Sequence, residues 1–355
     1  MSPSPDSPRP VFHQDVSACV EDVLARVGRR IVLGLPIGMG KPNQLVDAFY
    51  RAAEADPSLS LDLFTGLTLE PPRPGGELER RLVEPLAARL FPGWPGYAWL
   101  EPWRRGELPP NVRVFSFFFP PGRMLDSPAA QQSFVAANYT HVARDMRGLG
   151  VNVLAQMVGG RHTPDGRCYS LSGNPDVTLD LMAHLAERRA RGEGVAVVAQ
   201  VNEQMPYMLR DAELAPESFD FVVDERRYDF PPFALPDEPV TTVDHAIAVA
   251  ASSLVADGGT LQIGIGSLSD AIVRAICLRH RSGGVYRRAL RGLGIEAAHG
   301  ELIEREGVTI AAPLNLPAEM AQHASQLYAR NVQALLELIV DKEGALQLDF
   351  EDEIV

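Results

Sequence analysis

The chain has 355 residues, of which 46% are hydrophobic and 22% are charged, and its formal net charge is −13 at pH 7. This length is enough for two or more domains with sizeable cores, and the composition is ordinary for a globular protein. The acidic balance disfavours nucleic acids and anionic membrane surfaces as partners, because both carry negative charge.

The three cysteines, Cys19, Cys168 and Cys277, lie far apart and none belongs to a CxxC pair. Their spacing therefore predicts neither a disulfide scaffold nor a metal site, and reduced thiols fit the cytoplasm. No apolar run approaches the length of a membrane span, and the N-terminal segment has no apolar core of a signal peptide. We expect a cytoplasmic protein without a membrane partner, in which residues 1–15 form a disordered lead.

From residue 16 onward, predicted strands alternate with predicted helices. The apolar run at 30–35 is typical of a buried strand, and Pro42 can begin the next helix, where its missing N–H costs nothing. Strands are predicted at 30–35, 59–63, 112–119, 151–157, 195–201 and 219–223, and helices at 16–27, 42–53, 129–147 and 174–191. This alternation predicts an α/β fold with a mainly parallel sheet and flanking helices.

The segment 229–240 is rich in proline and aperiodic, which is typical of a linker. We therefore predict a first domain over 16–235 and the start of a second over 241–294. The second begins with a helix at 243–256, a strand at 260–263 and a helix at 268–280. No clear element is predicted at 281–300.

Two glycine-rich loops each join a predicted strand to a helix. In the first, Leu35 and Pro42 stand where a phosphate loop needs Gly and Ser or Thr, and Asn43 replaces the third Gly of the dinucleotide pattern. This first loop is interpreted as a tight turn. In the second, Ser267 and Asp270 have capping-box spacing, while the glycines and free N–H groups of a helix start favour an anion. A ligand site and a plain cap both remain open for this second loop.

Six segments together resemble the long form of the acetyl-CoA hydrolase/CoA-transferase family, and the resemblance extends from about residue 16 to about residue 294. They lie at 30–53, 117–125, 138–146, 169–181, 200–208 and 258–273. The resemblance implies CoA-transferase-type (NagB/RpiA-like) α/β domains, of which the second is incomplete. It also implies acyl-CoA thioesters and small carboxylates such as acetate as partners, with acetyl-CoA hydrolysis or CoA transfer as the reaction, and it leaves a homo-oligomer possible.

The same resemblance implies functions for individual residues. It places a CoA-binding loop at Gly264, Ile265, Gly266, Ser267 and Leu268. It also places Asn202 near the acyl site, where its side chain could donate a hydrogen bond to a carboxylate. The alternative for Asn202 is a turn residue that caps its own backbone. Coenzyme A, as acyl-CoA substrate, is the expected cofactor, and no metal is expected.

The family's nucleophile is a glutamate in a Ser/Thr-Glu-Met context followed by Asp-Gly, and this motif is not found here. Glu296, Glu301 and Glu319 lie in other contexts, and each is more simply a surface charge. In the family, such a glutamate attacks the thioester carbonyl and becomes a glutamyl-CoA thioester. The catalytic residue therefore stays unassigned, and a non-catalytic fusion remnant with residual CoA binding is the alternative function.

The tail at 307–355 resembles the NAD(P) transhydrogenase alpha subunit through Asn-Leu-Pro, Ala-Ser-Gln-Leu-Tyr-Ala-Arg-Asn and Asp-Phe-Glu-Asp-Glu runs. It predicts a strand at 308–311, a helix at 318–340 and a strand at 345–350, within a separate region at 301–355. A junction is expected near 295–306, from a fusion, a rearrangement or an assembly error. The nucleotide-binding glycine motif of that family is absent from the tail, and a transhydrogenase-related fragment is a further alternative.

Overall fold

A computed structural model describes residues 9–163, 166–234, 238–295, 302–305 and 308–311, together with Arg330 and Gln333. The chain divides into two units, Met1–Leu235 and Pro236–Val355. The division falls inside the proline-rich segment 229–240. The two units are described separately below.

The first unit alternates strands and helices, as the apolar pattern predicts. Its strands are β1 Val11–His13, β2 Arg30–Gly34, β3 Ser60–Thr65, β4 Val112–Ser116, β5 Val153–Thr163, β6 Gly166–Ser170, β7 Ala196–Val201, β8 Glu213–Leu214 and β9 Phe221–Val223. Its helices are α1 Val16–Val27, α2 Asn43–Ala55, α3 Glu77–Leu90, α4 Leu100–Arg105, α5 Pro128–Gln132, α6 Val142–Gly148 and α7 Thr178–Ala190.

Seven of these strands form a parallel sheet in the order β1-β9-β7-β5-β2-β3-β4. The second half of β5 extends beyond this sheet and pairs antiparallel with β6, which pairs antiparallel with β8. After β2 the chain adds β3 and β4 on one side, and then β5, β7 and β9 on the other. The carboxyl ends of β2 and β5 therefore flank a topological switch point, where open α/β sheets commonly bind ligands.

Apolar side chains cover both faces of the sheet. On one face, Val23 of α1 and Phe49 of α2 are fully buried against the strands, and on the other face Met146 of α6 and Leu181 of α7 are fully buried. Strands covered on both faces are apolar almost throughout, and β7 is buried at every residue. The predicted α/β fold with a mainly parallel sheet and flanking helices is confirmed.

Two predictions for the first unit are wrong in part. Residues 11–13 are not a disordered lead, because Val11–His13 pair in parallel with Phe221–Val223 at the edge of the sheet; residues 1–8 lie outside the described residues. The helix predicted at 129–147 is two short helices, α5 and α6. Between them the backbone runs beside the end of β4, where the Val135 N–H donates to the Ser116 carbonyl at 2.8 Å.

The second unit contains α8 Thr242–Ser252, α9 Ser267–Arg281 and α10 Gly283–Gly292, and an antiparallel pair formed by β10 Leu302–Arg305 and β11 Val308–Ala311. Small residues let the three helices approach closely. Ala248, Ala271 and Ala275 are buried together with Tyr286, whose hydroxyl lies 2.9 Å from the Ser252 hydroxyl. Among the described residues, no helix has both the length and the apolar character that a membrane span requires.

Three local predictions for the second unit are wrong. Residues 260–263 do not form a strand, and residues 238–295 contain no strand at all. Helix α10 lies within 281–300, where no element was predicted. The capping box belongs to α8, through Thr241 and Asp244, and not to Ser267 and Asp270.

The tail is described only in part. The strand predicted at 308–311 is confirmed as β11. The strand predicted at 345–350 lies outside the described residues, as does the helix predicted at 318–340 apart from Arg330 and Gln333, which are helical.

Candidate functional site

The first glycine-rich loop lies at the carboxyl edge of the parallel sheet, against the loop that follows β6. The Met39 N–H donates to Asn174 Oδ1 at 3.2 Å, and the Ile37 N–H donates to Asp176 Oδ2 at 3.0 Å. A Cβ atom on Gly40 would lie 2.9 Å from the Asn174 carbonyl oxygen, so the two loops can approach this closely only with glycine there. The geometry agrees with the interpretation of this loop as a tight turn.

Lys41 ends the loop, and its side chain is fully buried. Its amino group donates to the carbonyl oxygens of Gly66 and Leu67, the second at 3.1 Å, and thereby joins the loop after β2 to the loop after β3. Burial lowers the pKa of Lys41 to about 7, and the negative charge of Asp176 opposes this shift. The amino group faces these carbonyl oxygens, unlike a P-loop lysine, which reaches toward phosphate.

Asp176 leaves one carboxylate oxygen without a partner. Its Oδ2 accepts from Ile37, but Oδ1 is buried and accepts no hydrogen bond within the described part of the chain. Burial raises the pKa of Asp176, and the backbone N–H groups of Ile37 and of Asp176 itself, together with the charge of Lys41, oppose that shift. An unsatisfied buried polar atom costs about 1–3 kcal/mol, so such an atom in a folded protein calls for an explanation.

A cavity of about 280 Å³ lies beside Ile37 of the first glycine-rich loop. Its lining residues are Ile37, Leu67, Phe117, Phe118, Ala137 and Tyr139. Phe118 and Tyr139 are 44% and 55% exposed, so this side of the cavity is open to solvent. Partial burial, together with the charge of Asp176, raises the pKa of Tyr139 to about 12. The hydroxyl therefore stays protonated at neutral pH.

Asn202 directly follows β7 and is fully buried. Its Nδ2 donates to the Phe230 carbonyl at 2.8 Å, and its Oδ1 accepts from the Gln204 N–H at 3.0 Å. The second bond is the local turn that was the alternative for this residue. The role of Asn202 in binding a substrate carboxylate stays a prediction.

Removal of the Asn202 amide is expected to destabilise the first unit whether or not substrate binds there. Asn202→Ala leaves the Phe230 carbonyl and the Gln204 N–H without their partners, so we expect a loss of about 1–3 kcal/mol of unfolding free energy. Urea denaturation of the full chain measures this loss. Gln204→Ala is the control, because it keeps both backbone partners and should change stability little. An unchanged unfolding midpoint in Asn202→Ala would contradict the structural role.

The predicted CoA-binding loop, 264–268, precedes and begins α9 in the second unit. Ile265 is 86% exposed, and Gly266 is the N-cap of the helix at a φ of 132°. No side chain of the described residues caps the first N–H groups of α9. The Ser267 hydroxyl lies near Asp244, whose pKa is lowered mainly by the backbone N–H of Thr241 and also by this hydroxyl. The loop is thus an exposed helix start with free donors, which suits an anion.

The three glutamates considered as nucleophile, Glu296, Glu301 and Glu319, lie outside the described residues. The catalytic residue remains unassigned. Within the residues that the structure describes, no group of three or more His, Cys, Asp or Glu side chains could hold a metal ion.

Sequence comparison connects the chain to a curated enzyme. Over 77 residues the chain is 35% identical to 4-hydroxybutyrate coenzyme A transferase of Clostridium kluyveri. Part of this chain is CoA-transferase-like. The match spans 22% of this chain and 17% of that protein. It confirms the resemblance to CoA-transferases inferred from the six segments.

Two solved structures are similar at low identity. RipA from Yersinia pestis is 16% identical with a TM-score of 0.46, and the match covers 75% of this chain and 53% of RipA. A 4-hydroxybutyrate CoA-transferase from Porphyromonas gingivalis is 18% identical with a TM-score of 0.40, over 75% of this chain and 51% of that one. The chain thus spans about half the length of these two proteins.

The tail matches a different family. Residues 292–355 match the family described as alanine dehydrogenase/PNT, C-terminal domain. This match confirms the transhydrogenase-like resemblance of the tail, and it begins 15 residues before the segment at 307–355 that suggested it.

Proposed function

We propose that this CoA-transferase-like chain takes part in CoA transfer between an acyl-CoA and a carboxylate, with acetyl-CoA hydrolysis as the variant in which water is the acceptor. The observation that carries the proposal is the uncapped, glycine-rich start of α9 at Gly266, in the segment that resembles a CoA-binding loop. Its free N–H groups can bind a phosphate of CoA or an oxyanion formed at the thioester.

The expected chemistry is covalent catalysis, in which a carboxylate nucleophile divides one acyl exchange into two easier steps. The role proposed for this chain is to bind the acyl-CoA through the loop at the start of α9. Incubation of the full chain with acetyl-CoA and propionate tests turnover, with propionyl-CoA and acetate as the expected products. Borohydride trapping identifies a glutamyl-CoA thioester.

A charge placed in the loop should weaken CoA binding. A Cβ atom on Gly264 would meet no other atom within 4 Å, so a side chain there fits without a clash. We expect Gly264→Asp to weaken CoA binding about tenfold, because its carboxylate repels the CoA phosphates beside the helix start. Isothermal titration with CoA measures the affinity.

The matched control is Gly264→Asn, which has nearly the same shape and no charge, and which should keep the affinity close to that of the unmodified chain. Equal affinities of the two variants would contradict CoA binding at this loop. If acetyl-CoA neither turns over nor raises the unfolding temperature, the proposed function fails. Stabilisation by NADH and not by CoA would instead favour the nucleotide role suggested by the tail.

A further inference from the structure

We propose that helix α3 of the first unit is the docking surface for a second copy of this chain, with the two copies of the helix packed antiparallel about a two-fold axis at Leu82. The helix has 14 residues, and none of them is buried. Leu78, Leu82 and Leu86 are 83%, 74% and 38% exposed. Exposed leucines that form one continuous stripe are a feature of helix–helix interfaces.

The three leucines lie on one face of α3. They are spaced four residues apart, and residues at this spacing lie one above the other along a helix. A different face packs within the chain, where Val83, Ala87 and Leu90 are half-buried. The leucine stripe therefore remains uncovered after α3 has packed in its own chain, and it can receive a second helix.

Both ends of α3 are tied to other parts of the first unit. Before the helix, Arg73 forms an ion pair with Glu101 of α4. After the helix, the Phe91 ring stacks on the Phe233 ring, with 4.7 Å between the ring centroids. A surface that is already held in place loses little conformational freedom on docking, which favours association.

The charges of α3 favour an antiparallel copy of the same helix as the occupant. Its first turn contains Glu77 and Glu79, and its last turn contains Arg89. Within the described residues, Arg80 pairs with Glu77 and Glu84 of its own helix. Glu79 and Arg89 form no ion pair in this part of the chain, so their charges are available to a partner. An antiparallel copy places the acidic end of each helix beside the basic end of the other, whereas a parallel copy places like charges together.

A two-fold axis at Leu82 brings these two charges within reach of each other. With Leu82 opposite its own copy, Leu78 lies opposite Leu86 of the second copy, and the two stripes meet along their length. Arg89 then lies about 6 Å along the axis from Glu79 of the second copy, at a rise of ~1.5 Å per residue. Helical side chains lean toward the amino end of their own helix, so these two side chains lean toward each other. The pair forms twice in each dimer.

Sedimentation velocity of the full chain measures the association. One helix pair is smaller than a standard interface of ~1,600 Å², so we expect a reversible dimer with a dissociation constant of about 10 µM. Leu82→Glu places two carboxylates at the two-fold axis and should raise this constant at least about tenfold. Leu125→Glu is the matched control, because Leu125 is 71% exposed outside α3, and it should leave the constant unchanged. A chain that stays monomeric up to about 100 µM, or a dimer that Leu82→Glu does not weaken, overturns the proposal.

Reversal of the charges tests the orientation of the two helices. Glu79→Arg alone, or Arg89→Glu alone, places like charges together and should weaken the dimer about tenfold. The double variant restores opposite charges in an antiparallel pair, so its dissociation constant should return to that of the unmodified chain. A double variant that dimerises as weakly as the single variants overturns the antiparallel arrangement.

Disulfide cross-linking between copies tests the register, in a chain that carries Cys168→Ser and Cys277→Ser. Leu82→Cys should cross-link to its own copy, because the two positions meet at the two-fold axis. Leu78→Cys alone should not, since its copy lies about 12 Å away along the axis and a disulfide needs Cα atoms within about 7 Å. Its mixture with Leu86→Cys should cross-link.

Gel electrophoresis without reductant shows which of these disulfides form. Cross-linking of Leu78→Cys to itself, without cross-linking in the mixture with Leu86→Cys, indicates a parallel pair and overturns the proposal. Helix α3 lies in the first unit, and none of these measurements uses CoA. Their outcome is therefore independent of the function proposed for the loop on α9.

Discussion

The amino group of Lys41 is expected to lose its proton near pH 7, well below the ordinary lysine value of 10.5. Burial is the cause, because the low-dielectric interior disfavours the charged form. The chain contains only two lysines, Lys41 and Lys342. A protein made with lysine labelled with ¹⁵N at the side-chain amino group therefore gives two side-chain signals in an NMR titration. The variant Lys342→Arg removes one signal and assigns the other. If the Lys41 signal titrates with a midpoint above about pH 9, the expected lowering of its pKa is contradicted.

The same shift makes stability depend on pH. Below pH 7 the amine is charged in both the folded and the unfolded chain, and the folded chain bears the full cost of the buried charge. Between pH 7 and 10.5 the unfolded chain binds the proton and the folded chain does not, so the free energy of unfolding rises with pH. From about pH 7 to about pH 9.5 the expected rise is about 3 kcal/mol.

Lys41→Met isolates this contribution, because methionine has a similar length and does not titrate. Urea unfolding at both pH values is the measurement. The stability of the unmodified chain relative to Lys41→Met should increase by about 3 kcal/mol from the lower to the higher pH. The variant also leaves the Gly66 and Leu67 carbonyls without their donor, but that loss does not change with pH. A pH-independent difference would show that Lys41 titrates normally.

Asp220→Ala is expected to lower the unfolding free energy by about 3 kcal/mol. Asp220 immediately precedes β9, and its side chain is only 6% exposed. Its carboxylate accepts from the Val197 N–H at 2.8 Å, from Arg26 at 2.9 Å and from Arg189. Arg26 lies in the last turn of α1 and Arg189 in the last turn of α7. The helices α1 and α7 pack on opposite faces of the sheet, so one carboxylate holds both helix ends to its edge.

Urea denaturation measures the effect, and two variants interpret it. Asp220→Asn keeps an acceptor for the Val197 N–H and loses the charge, so it should be less damaging than Asp220→Ala. Asp56→Ala is the matched control, since Asp56 also pairs with an arginine, Arg29, but is 48% exposed. An exposed pair contributes little because water screens it. If Asp220→Ala is no more destabilising than Asp56→Ala, the proposed role of Asp220 is wrong.

Much of the first unit could be predicted from local sequence. Buried parallel strands such as Arg30–Gly34 and Ala196–Val201 read as short apolar runs because both faces of the sheet are covered. The end of α1 could be read from Gly28, which adopts a φ of 99°. By contrast, β6 has the polar sequence GRCYS and is a strand only because the extension of β5 pairs with it. It carries no apolar signal of its own.

The sequence by itself determined the alternation of strands and helices, and it nominated the glycine loop on α9, because these features depend on residues that are neighbours in the chain. Only the tertiary structure brought Asp176 to Ile37, 139 positions away, and Lys41 to Gly66, 25 positions away. Among the described residues, it also gives 260–263 no strand partner despite their strand-like pattern. Strand pairing, burial and the pKa values that follow from burial depend on which distant segments meet, and a local pattern of residues does not contain that information.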